Sequence, residues 1–100
     1  MNLLELGKRA DTGDKKATAD VMRGLTRFLE LTTAAIWHIE NIKKTEEPEV
    51  IQVSIEVLQK LDNQIADLFG HPHRDMKAII RSGIGDFKLI SEKCIRLNLV

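Results

Sequence analysis

Disulfides, tyrosine and net charge are all missing from this chain of 100 residues, small enough to be a single domain. There is one cysteine, Cys94, no tyrosine, and only four aromatic residues in all. A lone cysteine cannot form an internal disulfide, which suits a reducing compartment. Fifteen Lys and Arg balance fifteen Asp and Glu. Zero net charge with 43% hydrophobic residues excludes a long disordered tail, which needs the opposite on both counts. It also argues against a nucleic-acid coat, which carries a large positive excess. No apolar run approaches the roughly 20 residues that cross a bilayer. Charges at Glu5, Lys8 and Arg9 leave no room for the apolar stretch of a signal peptide. The expectation is a soluble, cytoplasmic protein with no membrane partner.

What the chain does contain is helical period. Leu3, Leu4 and Leu6 open residues 1–16, a polar N-terminal arm or short helix that turns near Gly13. Either Thr12 or Asp14 is placed to cap the helix that follows. From Ala17 to about Lys44, Val21, Met22, Leu25, Phe28, Leu29, Thr32, Ile36 and Ile39 recur at spacings of three and four. That spacing puts them on one stripe of a helix, with Gly24 on its polar side. Lys43 and Lys44 suit the negative end of its dipole. Pro48 fits the first position of a second helix, which runs to about Phe69 and stops at Gly70. Its apolar stripe is wide enough for more than one neighbour. A third helix starts near Pro72 and carries Met76, Ile79, Ile80, Ile84, Phe87, Ile90, Cys94 and Leu97. Gly83 and Gly85 in its middle mean that it bends, breaks, or is approached closely by another helix.

These elements predict an all-α fold: an antiparallel bundle of three main helices over residues 17–100, with the N-terminal arm beside it. Residues 48–70 hold four acids and one Lys, and residues 71–100 hold six bases and three acids. Antiparallel packing would let those halves compensate, setting orientation more than stability. For a monomer, apolar burial roughly offsets ordering entropy. A homodimer or larger assembly is therefore expected, with the broad second helix at the contact.

Candidate sites are few. His71-Pro72-His73-Arg74-Asp75 is the densest polar cluster, but two His at i and i+2 share no helix face and no third ligand is fixed. A turn and helix start explains it. Gly83-Ile84-Gly85-Asp86 lacks the strand and the Gly-Lys-Ser/Thr of a phosphate loop. No nucleophile with an adjacent base assembles. No enzyme activity, cofactor or metal is therefore expected. Arg74, Lys77, Arg81 and Lys88 form one basic stripe on the third helix, either a solvated face or a contact for an anion or acidic partner. Leu31, Ala34 and Trp37 lie opposite the main stripe of the first helix and predict a partner interface, with Trp37 its anchor. Asp62 falls on the apolar side of the second helix, where Lys43 is a candidate partner.

One segment resembles a known family. Ile36-Trp37-His38-Ile39-Glu40-Asn41-Ile42-Lys43-Lys44, followed by Pro48 and by Leu68-Phe69-Gly70, is similar to the back half of phage-repressor-type helix-turn-helix domains. The resemblance implies a DNA-binding transcriptional regulator with Thr33, Ala34, Trp37 and His38 facing the major groove. It also requires a turn at Glu30, where that family has glycine, whereas a single helix explains the same residues without one. The leading expectation is a non-catalytic helical protein, an adaptor, inhibitor or assembly subunit. Its partners would be itself and another protein, with nucleic acid less favoured.

Overall fold

Side-chain caps start three of the five helices in the computed structural model, which describes residues 1–100. Asn2 accepts a hydrogen bond from the Glu5 amide and opens α1, Leu3–Asp11. Asp14 accepts from Ala17 N and opens α2, Lys15–Lys44. Asp75 accepts from Lys77 N and Ala78 N and opens α4, Met76–Ser82. Each carboxylate or amide satisfies an amide that the first helical turn leaves unpaired. Between them, Pro48 starts α3, Pro48–Phe69, and Gly70 ends it in the left-handed conformation that glycine adopts without strain. The last helix, α5, spans Phe87–Arg96.

The 30 residues of α2 span about 45 Å. Three residues turn it into α3, and the two helices run antiparallel. The Phe28 and Phe69 rings meet edge to face at 5.4 Å, and Arg27 donates to Gln64 Oε1 at 2.8 Å. The carboxyl end of α2 is closed from a distance. Lys93 Nζ, on α5, donates to the carbonyls of Ile42, Lys43 and Thr45 at 2.8–3.0 Å. A cation with all three donors spent on open carbonyls sits where the helix dipole is negative. Lys43 and Lys44 stand in the last turn as expected, and Lys93, about fifty positions away, adds the direct bonds to the carbonyls. Arg96 bonds Glu46 at 2.8 Å alongside, and together with Lys93 holds the Glu46 carboxyl below its ordinary range.

The expected third helix is two. Gly83 and Gly85 both take positive φ, 63° and 61°, and the chain reverses between α4 and α5. Of the three outcomes the glycines allowed, the break is realised, so the bundle has five helices. The main core lies at this end: Ile42 of α2, Ile51, Ile55 and Leu58 of α3, Met76 and Ile80 of α4, Ile90 and Cys94 of α5. At the other end the N-terminal arm is a helix of nine residues, folded back on α2 with Leu3 buried.

The result is a rod, 53 × 20 × 19 Å. Its radius of gyration is 16.5 Å, where a compact chain of this length has about 13 Å. So thin a body has little interior, and only fifteen residues are buried. No helix is long and apolar enough to cross a membrane.

Candidate functional site

The middle of the rod is almost all α2 and α3, so the residues of α2 choose between neighbour and solvent. Facing inward are Ala17, Val21, Gly24, Phe28, Leu31, Ala35 and Ile42, at alternating spacings of three, four and seven. That is a seam of the kind two helices share. Ala17, Leu31 and Ile42 are buried outright. Gly24 is no polar-side residue: a Cβ there would overlap the Leu3 side chain, so its lack of one lets α1 lie against α2.

Roughly a third of a turn away lies a second apolar line. Met22, Leu25, Leu29 and Ile36 are 47–65% exposed. They belong to the stripe expected to face the core, and nothing in the chain covers them. Between Lys15 and Glu40, the residues on this face are Thr18, Thr26, Thr32 and Thr33 besides those four, and charge stands only along one edge, where Arg23 neighbours Met22 and Glu30 neighbours Leu29. Of the wide stripe of α3, Ile51, Ile55 and Leu58 are buried within the chain, while Val50, Val57, Leu61 and Leu68 are half-buried.

The three residues expected to form an interface do not share a surface. Leu31 is 3% exposed and belongs to the interior. Ala34 is half-buried, and Trp37 is 62% exposed at the edge of the bare line. The Trp37 ring meets that of His38 edge on at 4.9 Å. Both line a shallow open groove with Thr26, Leu29, Glu30, Thr33 and Ala34. His38 Nδ1 is buried without a partner. The residues that the repressor resemblance aimed at a DNA groove thus lie along one continuous helix. No turn interrupts α2 at Glu30.

The basic stripe is also divided. Arg74 precedes α4 in an irregular segment, and its guanidinium is taken by Asp62, at 2.5 Å through Nη2 and 3.2 Å through Nε. Asp62 is thereby paired, by Arg74 and not by Lys43, which bonds Glu40 at 3.3 Å. The hydrogen bond and charge of Asp62 raise the Arg74 pKa further. Lys77 and Arg81 remain together on α4, one turn apart and exposed, and Lys88 stands on α5 beyond the break. His73 Nε2 lies 2.8 Å from Asp67, and His71 stacks on Phe69.

One polar contact escaped the sequence reading altogether. Gln59 Oε1 accepts from Met76 N at 2.7 Å, while its Nε2 donates to Arg74 O at 2.7 Å and Asn63 Oδ1 at 2.8 Å. A single amide therefore ties the start of α4 to the side of α3. Glutamine on a helix is too common for that role to be read from spacing. Cys94 is fully buried, and burial raises its thiol pKa, so it is an inert part of the core. No known protein family, curated protein or solved structure matches this chain.

Proposed function

We propose that this is a non-catalytic helical protein that acts by protein–protein contact, as an adaptor, inhibitor or assembly subunit. The outer face of α2 is its contact surface. The carrying observation is the line Met22, Leu25, Leu29 and Ile36, bare along the middle of a rod for about four helical turns, with charge only at its edge. Single exposed apolar residues are ordinary, but a contiguous row of them marks an interaction site. Trp37 at its edge adds the residue type most often found to anchor interfaces. Lys77 and Arg81 supply a separate, polar contact at the α4 end. A cytoplasmic setting fits a chain whose one thiol is buried and unpaired.

Site-specific photocrosslinking in the producing cell tests this reading. A photoreactive residue in place of Leu29 is expected to capture discrete protein bands. One in place of Gln52, exposed on α3, is not. Equal capture at both positions, or none at Leu29, would contradict it.

A further inference from the structure

We infer that the occupant of the bare line on α2 is a second copy of this chain, packed antiparallel about a two-fold axis at Leu29. The inference rests on the reading of this face as a contact surface and gives it a partner. An interface between identical copies must be complementary to itself, each residue meeting the one placed symmetrically about the axis. This line has that property. Met22 and Ile36 stand seven residues to either side of Leu29. Antiparallel pairing therefore sets Met22 of one copy on Ile36 of the other, and Leu29 on Leu29.

The flanks agree with the same register. Leu25 faces Thr32 along one side, and Thr26 faces Thr33 along the other. No charge lies along the centre of the strip between Lys15 and Glu40, and Glu30, exposed beside Leu29 and Trp37, stays at its solvent edge. At its ends, antiparallel packing places Glu40 opposite Thr18 and within one turn of Lys15 of the other copy. There it extends the pair it already makes with Lys43. Parallel packing would instead set Glu40 on Glu40 and Lys15 on Lys15, like on like.

Size fits as well. Met22, Leu25, Leu29, Ile36 and Trp37 are each 47–65% exposed, and five such side chains in a row supply a large share of the roughly 800 Å² each partner contributes to a standard interface. Facing helices also approach within 8–10 Å without hindrance. The buried seam turns α1, α3 and α5 to other sides of α2, leaving this one clear.

Sedimentation and thiol crosslinking of the purified chain decide it. Cys94 is buried and silent, so single cysteines can be added directly. Leu29→Cys alone is expected to crosslink to itself through a short thiol reagent. Met22→Cys and Ile36→Cys should each fail alone and crosslink when mixed. Leu29→Lys should weaken self-association roughly tenfold or more, with helix content unchanged. Self-crosslinking of Met22→Cys and Ile36→Cys separately would mean parallel pairing and overturn the register. A monomeric mass from micromolar to millimolar concentration would overturn the second copy. If photocrosslinking at Leu29 then captured a different protein, the contact reading would stand while this inference fell.

Discussion

Two faces of one helix have opposite fates. The inner face of α2 is built partly from small residues, Ala17, Gly24 and Ala35, and it is covered. The outer face carries Met22, Leu25, Leu29 and Ile36 with no small apolar residue among them, and it is bare. Large side chains add more hydrophobic area, yet small ones let neighbouring backbones come close. Within this chain, close approach decides which face is covered. The face without small residues is left uncovered by the chain itself.

The strongest way to break this contrast is to treat Leu31 and Trp37 alike. Leu31→Ser removes a buried side chain and leaves a hydroxyl in its place. It should cost about 3–5 kcal/mol in urea unfolding. Trp37→Ala should stay within about 0.5 kcal/mol for the isolated monomer, since its ring is mostly in solvent. Equal losses would place both residues in one core and erase the difference between the faces.

Next in size is the closure of the inner seam at Ile42. Lys93→Met keeps the stem but strips three carbonyls of their donor, and should cost about 2 kcal/mol. Faster amide exchange confined to the last turn of α2 and to residues 45–47 is the expected pattern. A smaller loss, about 1 kcal/mol, is expected of Gly24→Val, whose side chain must displace Leu3. Exchange protection should fall in α1 and hold in α3, which would show that smallness at 24 is what seats α1. The least effect belongs to Glu46. Its carboxyl pKa is lowered by the Arg96 hydrogen bond first, then by the Arg96 and Lys93 charges. A lowered pKa means a contribution present above the ordinary value of 4.5 and lost as pH falls through the folded value. Glu46→Gln should lose a small contribution at neutral pH, flatten that acid limb slightly, and match the parent chain once the pH is below the folded value.

Much of the fold was legible in the residues. Pro48 and Gly70 bounded α3, the Thr12–Asp14 turn opened α2, and an unbroken period carried α2 past Glu30. The break in the third helix was visible as two glycines, though not its outcome, because a glycine permits a positive φ without requiring one. The orientation of α2 is not legible in its period, for a definite reason. Apolar residues surround most of its circumference, so period alone defines two stripes. Placing Gly24 on the polar side favours the outer one, whereas packing selected the one interrupted by Gly24. Likewise Lys93 and Gln59 act across fifty and seventeen residues, and distances of that kind leave no trace in local spacing.

The chain has a built-in ruler for the central claim, since its three methionines sit in three environments. Met1 and Met22 are each 65% exposed and Met76 is 6% exposed in the monomer. Peroxide oxidation followed by peptide mass spectrometry reads each one separately. In a dilution series, Met22 should oxidise as fast as Met1 when dilute and become protected as concentration rises, with Met1 fast and Met76 slow throughout. Met22 oxidising alongside Met1 at every concentration would contradict a covered outer face on α2.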